Sequence, residues 1–301
     1  MSMASSGNVI VAGEAGGLLH VSADGGATWT VGNSPNGIWT SSVASSTGSH
    51  LYAVSYGDKM YMSTDNGATW TALSPAAASW EGVATSSDGK HVVAVAQQAP
   101  LMLSDDFGAT WRNVTMPDGT GANWWRNVAM SDNGSVIVAV AHTGIFRTTD
   151  GGATWSAVTV SVGGTVVNDT WYRVKMSADG QTIAVVGNTF GGAPGTGVYV
   201  SHDGGATWTR AFDRVADYTY VGMSSDGQVI GVTLSDMTSG STTTPGRVLL
   251  STDGGATFSQ VTPGTDTDWR AIAISGSGAR IATAAGGFNT GTTGQLYVGH
   301  D

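Results

Sequence analysis

Cysteine is absent from the 301-residue chain. Its absence excludes disulfides, Cys-ligated zinc and thiol catalysis, and leaves the redox compartment open. Positive charge is scarce as well: 12 Lys and Arg stand against 22 Asp and Glu, for a formal net charge of −10. With no basic stripe to displace counterions from phosphate, no nucleic-acid partner is expected, and acidic membrane surfaces are disfavoured for the same reason. No apolar run reaches the roughly 18 residues that a spanning helix requires, so no membrane span is expected. The opening residues Met1 to Ser6 carry neither the charged nor the apolar region of an export signal. Long helical periodicity is missing too. Charged residues make up only 11% of the chain while 45 glycines punctuate it, which suits short strands joined by tight turns.

What the chain has in abundance is self-similarity. The string Ser-x-Asp-x-Gly-x-Thr-Trp begins at Ser22, Ser63, Ser104, Thr148, Ser201 and Ser251. It ends at Trp29, Trp70, Trp111, Trp155, Trp208 and, in the last copy, Phe258. Successive copies lie 41, 41, 44, 53 and 50 residues apart. A period in the forties with four short strands per unit is the pattern of propeller blades. A second aromatic opens each unit, at Trp39, Trp80, Trp125, Trp171, Tyr218 and Trp269.

Each unit reads as strands A to D. In the third, Trp80–Ala84 opens strand A, Ser87–Gly89 is a turn, His91–Val95 is strand B, Leu101–Leu103 is strand C, and Trp111 enters strand D. Six openings plus a first unit that starts inside strand A predict one all-β domain, a seven-bladed β-propeller of four-stranded antiparallel blades. The repeats are 1–38, 39–79, 80–123, 124–170, 171–216, 217–268 and 269–301. Six blades is the alternative, because only six boxes are complete. The last unit stops after strand C, so the closing blade should lack strand D or recruit the N-terminus to cover that edge.

These motifs resemble the BNR or Asp-box propellers, a family that includes sialidases, xyloglucan-degrading glycosidases, sortilin-type receptors and photosystem II assembly factors. The resemblance covers essentially the whole chain. It implies the fold, and it leaves open a choice between enzymes, receptors and assembly factors. A sialidase would need three arginines gripping a carboxylate, which Arg126, Arg173 and Arg270 could mimic. The family's N-terminal Arg-Ile-Pro motif, however, is missing. A secreted or periplasmic bacterial monomer is the expected setting.

The carboxylates Asp24, Asp65, Asp106, Asp150, Asp203 and Asp253 are read as structural. An Asp in a tight turn accepts backbone N–H bonds, the following Gly supplies positive φ, and the Trp packs over the hairpin. One copy per blade also spreads them around a ring, too far apart to act on one substrate.

The A–B and C–D turns share one face; the D–A and B–C connections share the other, which is the expected binding face. Both glutamates map there, Glu14 and Glu81, with Asp217 as a further catalytic candidate. Arg126, Arg173, Arg270, Trp124, Tyr172, Tyr220 and His142 are the ligand-binding candidates. The residue after each opening aromatic varies as Thr40, Glu81, Arg126, Tyr172, Thr219 and Arg270, whereas the recurring turn string agrees at nearly every defined position. Trp124 is an extra aromatic, and with Tyr172, Phe190, Tyr220 and Phe288 it could offer a flat surface to a sugar ring. Glycine-rich B–C loops at 187–197, 235–246 and 286–294 could border a cleft.

The expectation is therefore a ligand-binding propeller for a carbohydrate or protein segment. The alternative is a hydrolase, either glycosidase-like, using two carboxylates about the scissile bond, or metal-dependent. No cofactor is identified. Calcium is possible on the acidic face, with Asn188 and Asn289 available, whereas the six histidines lack zinc-ligand spacing.

Overall fold

The structure is a computed structural model that describes all residues except 74, 118–122, 188–196, 236–245, 262–268, 286–294 and 301. Among the described residues every regular element is a β-strand and every strand pairing is antiparallel. No helix there is long and apolar enough to cross a membrane. The chain folds as a β-propeller, each repeat forming a group whose strands follow one another from the inside outward.

The third repeat shows the plan. Ala78–Thr85 pairs with Val92–Ala99, which pairs with Met102–Ser104, which pairs with Arg112–Asn113. Tight turns set this order, since a hairpin connection forces antiparallel neighbours. The first repeat begins with the two-residue strand Ser2–Met3 on Ile10–Gly13. The N-terminus thus forms the innermost strand of its own group. The last group is described as three strands, Trp269–Ile274, Arg280–Ala285 and Gln295–His300.

Alternation along the strands buries Val, Ile, Leu and Ala between successive groups. One core cluster, for example, joins Val93, Val95, Leu101 and Leu103 of the third repeat to Trp125, Val128, Ile137 and Phe146 of the fourth. The opening aromatics Trp80, Trp125, Trp171, Tyr218 and Trp269 lie in these seams, all buried.

The A–B turns join into a closed circuit of backbone hydrogen bonds. Ser6 N donates to Ser46 O, Ser46 N to Ser87 O, Ser87 N to Asp132 O and Asp132 N to Ala178 O. Ala178 N then donates to Ser225 O, Ser225 N to Gly276 O, and Gly276 N back to Ser5 O, at 2.8–3.3 Å. The last repeat is thereby tied to the first, helped by Arg280 Nη1, which donates to Gly7 O and Asn8 Oδ1.

Asp132 sits one residue before the turn-capping position held by Asp88, Asp179 and Asp226. In its repeat that position belongs to Asn133, whose Oδ1 accepts from Ser131 Oγ at 2.8 Å.

The Ser-x-Asp-x-Gly-x-Thr-Trp turns connect the third and fourth strands and repeat one geometry. Ser104 Oγ donates to Asp106 Oδ1 and accepts from Gly108 N, while Thr110 N and Oγ1 donate to the two carboxylate oxygens at 2.8 and 2.6 Å. Trp111 Nε1 closes the turn on Gly108 O. Gly108 has φ +83°, the left-handed conformation that a Cβ disfavours. The bonds to the carboxylate recur at Asp24, Asp65, Asp150, Asp203 and Asp253, and the indole closure recurs at Trp29 and Trp208.

The B–C connections differ from expectation. Strand B of the third repeat runs on to Ala99, and its end pairs with the next repeat: Gln97 opposite Trp124, Ala99 opposite Asn123. Similar bridges join the first repeat to the second and the second to the third. In the fourth repeat strand B stops at Ala141 and turns back through His142 and Thr143.

Candidate functional site

The innermost strands carry a β-bulge near their starts. Trp80 pairs with Ala96 and Gly82 with Val95, which leaves Glu81 as the extra residue. The same shift makes Thr40, Arg126, Tyr172, Thr219 and Arg270 the extra residues of their strands. A bulge frees its residue from the alternation of the strand and re-aims its side chain. This is the position at which the repeats disagree in size and charge.

Two of these residues fasten neighbouring repeats. Thr40 Oγ1 donates to Trp80 O at 2.8 Å, and Thr219 Oγ1 to Trp269 O at 2.9 Å. Between those points, in the third to fifth repeats, the bulge position and its neighbours carry charge. Glu81, Arg126 and Arg173 are each more than nine-tenths buried. Arg126 Nη1 meets Glu81 Oε1 at 3.4 Å, and Gln97 Nε2 donates to the same oxygen. Arg126 Nε donates to His142 Nε2 at 2.7 Å. Arg173 Nη1 donates to the carbonyls of Arg126 and Tyr172 at 3.2 and 3.3 Å.

Removing charge from water is costly unless it is paired and hydrogen-bonded, and this array achieves that for Glu81 and Arg126. The balance still leans toward desolvation. Burial pushes the Glu81 carboxyl above its ordinary value, outweighing Arg173, Arg126 and Gln97, which pull it down. Burial and then the Arg126 charge hold the His142 imidazole below its ordinary value.

An aromatic surface flanks the pair. Trp124 is 43% exposed, and its ring lies parallel to that of His142, 10° between planes and 6.1 Å between centroids. Beneath it, buried Asn123 accepts from Thr143 Oγ1 at 2.8 Å and from Trp124 N at 3.0 Å. The Arg173 guanidinium lies 3.9 Å from the Tyr172 ring centroid and 5.3 Å from that of Tyr220. Tyr220 is itself buried and hydrogen-bonds to Ser41, joining the second and sixth repeats across the ring of inner strands.

Seven sequence candidates are therefore drawn into one neighbourhood: Glu81, Arg126, Arg173, Trp124, Tyr172, Tyr220 and His142. Others are placed elsewhere. Glu14 is exposed and has His20 as its partner, at 3.6 Å. Asp217 opens its inner strand opposite Ser235, and Arg270 is exposed at its bulge. Asn188, Phe190, Phe288, Asn289 and most of the three glycine-rich loops lie outside the described residues. Among the described residues, no three His, Asp or Glu side chains gather as a metal site.

Sequence reasoning passed over Gln97, Asn123 and Thr143, which hold Glu81 and seat Trp124. A signal was present at Gln97, because Gln97 and Gln98 close an otherwise apolar strand that begins at Val92. The small hairpin of Ser161–Val162 and Thr165–Val166, inside a D–A connection, also went unread.

Consecutive antiparallel groups arranged around a common axis make this a β-propeller with a buried charge pair at one end of its inner strands. The chain belongs to the family described as the DUF6242 beta propeller domain, whose model matches residues 2–237. No curated protein matches it in sequence. Among solved structures it is similar to the GH74 xyloglucanase from Xanthomonas campestris, with TM-score 0.70 and 14% identity over 94% of this chain. It spans only 50% of that enzyme, and 36% of an ancestral GH74 enzyme that it matches with TM-score 0.64 and 17% identity over 86% of this chain. It is also similar to YCF48 bound to D1 peptide, with TM-score 0.62 and 14% identity over 95% of this chain and 92% of the other. At such identities the likeness concerns the fold alone.

Proposed function

We propose that the chain is a seven-bladed Asp-box propeller that binds a carbohydrate on the face bearing Glu81, Arg126, His142 and Trp124. The closed circuit of turn-to-turn hydrogen bonds supports the blade count, with the repeat boundaries as read from the sequence. The observation that carries the ligand class is Trp124, a half-open indole stacked on His142 beside a buried charge pair. A flat apolar face within a polar frame suits a sugar ring, with C–H groups on the indole and hydroxyls on the polar groups around it. GH74 enzymes and peptide-bound YCF48 share the fold, so both glycan and peptide ligands have precedent on this scaffold.

The test is calorimetric titration with a panel of soluble oligosaccharides and extended peptides, using the native chain and Trp124→Ala. Saccharide binding lost in Trp124→Ala supports the reading. Peptide binding with no saccharide binding would overturn the ligand class, and binding unchanged in Trp124→Ala would overturn the site.

One observation favours hydrolysis as a second reading: the Glu81 carboxyl is pushed up by burial, as a general acid requires. Glu14, the other glutamate, is exposed with His20 at 3.6 Å and does not share the burial of Glu81. Binding is therefore preferred. Turnover of fluorogenic glycosides that disappears in Glu81→Gln would reverse that order.

A further inference from the structure

At the opposite end of the inner strands, inside the circuit of A–B turns, lies a cavity of about 140 Å³. Its walls include Met1, Ser5, Asp132, Lys175 and Ser225. Lys175 stands two residues after Arg173 on the strand Trp171–Met176, so the two cations share a face of that strand. No carboxylate of the described residues pairs with Lys175; the five ion pairs found there all involve other residues. Burial, and then the Arg173 charge, hold its ammonium below the ordinary lysine range. Arg173 shares the Glu81 carboxyl with Arg126 and gives Nη1 to the carbonyls of Arg126 and Tyr172, but its own Nε is buried without a hydrogen-bond partner among the described residues.

Buried Arg173 and half-buried Lys175 thus bring positive charge to the inner strands of a protein whose overall charge is −10. Uncompensated buried charge is unfavourable, and it is relieved by an ion of opposite sign where there is room for one. Room is present, and so are further donors. Ser177 and Ser224, on the same wall, have spent their hydroxyls on Asp179 and Asp226. Those of Ser5 and Ser225 make no hydrogen bond among the described residues. The Asp132 carboxyl also borders the cavity, and burial pushes it above its ordinary value.

We propose that this cavity is a binding site for a small oxyanion of the phosphate or sulfate class, held by Lys175 Nζ with the hydroxyls of Ser5 and Ser225, in the field of Arg173. The site is separate from the Trp124 face and does not depend on the function proposed above.

The experiment is thermal unfolding of the full chain in a low-anion buffer, titrated with phosphate, sulfate or acetate, against sodium chloride at matched ionic strength. The native chain should show a saturable rise of about 2–5 °C with phosphate or sulfate over the chloride control. Lys175→Met, nearly isosteric and uncharged, should melt higher than the native chain without added anion and should not respond to phosphate. Acetate acting as strongly as phosphate would overturn the oxyanion class in favour of carboxylates. A native response no larger than that to chloride, or a response retained in Lys175→Met, would overturn the site. Should Lys175→Met not fold, Lys175→Gln replaces it under the same criteria.

Discussion

Arg126 Nε donates to His142 Nε2 across 2.7 Å, which obliges the imidazole to keep that nitrogen unprotonated and to carry its single proton on Nδ1. Arg126 is the charge that faces His142, with Glu81 and Arg173 beyond it. The charged form of His142 is therefore disfavoured in the folded state.

Its stability contribution is complete above the unfolded value of 6.5 and is lost as pH falls below it, because the unfolded chain takes up the proton first. Protonation places like charges in contact, so the bond to Arg126 must break and the stacked Trp124 must feel it. Indole emission of the native chain should change as pH falls below 6.5. The change should be absent in both His142→Gln and Trp124→Phe. A transition that persists in His142→Gln assigns the titration to another group.

Glu81→Gln should leave stability within about 1 kcal/mol of the native chain. The charged carboxyl is already disfavoured by burial, and an amide oxygen can still accept from Gln97 and Arg126. Since its value is raised in the fold, Glu81 costs stability as pH climbs past 4.5, and the variant should gain on the native chain in that direction. Ligand affinity should fall by about tenfold or more, through loss of the acid group that meets Arg126. Urea denaturation at pH 4 and pH 7, beside a binding titration, reads both effects.

The box aspartates should behave in the opposite way. Hydrogen bonds from Thr207, offset by slight burial and joined by Ser201, hold the Asp203 carboxyl down to about 2. Its stabilisation is present above 3.8 and lost as pH falls toward 2. Asp203→Asn should lower the melting temperature at pH 7, the deficit should shrink toward pH 2, and ligand binding should be untouched. Impaired binding in this variant would mean that the turn contributes to the site.

Gly48→Ala tests the seam between the first two repeats. Gly48 has φ +80°, and a Cβ there would come within 2.4 Å of Val9 Cγ2. Strain and collision together should cost more than about 1 kcal/mol by chemical denaturation. Gly16, also at positive φ but with nothing within 4 Å, should lose less on the same substitution.

The legible part of the site was the bulge position. The repeats agree wherever a residue serves the blade and differ at Glu81, Arg126 and Tyr172, so subtracting the repeat isolated those residues. Trp124 was legible for the same reason, as an aromatic without a counterpart in the other repeats. The surroundings of Glu14 were not legible: its turn sets it 3.6 Å from His20, away from solvent-free positions such as that of Glu81. The roles of Gln97 and Asn123 were hidden because they depend on strand B running into the next repeat, a pairing between units that no single unit encodes.

The sequence by itself determined the blade. Turn residues, alternation and the recurring aromatics act over a few residues and recur in every unit, so their physics can be read locally. Which charges meet was decided only by the tertiary structure. Glu81, Arg126 and Arg173 lie about one repeat apart in sequence, and only the packing of successive repeats against one another brings them within reach. Burial then settles their balance, leaving Glu81 paired with Arg126 and Lys175 unpaired. Desolvation depends on everything around a side chain, and a repeat unit alone does not contain its neighbours.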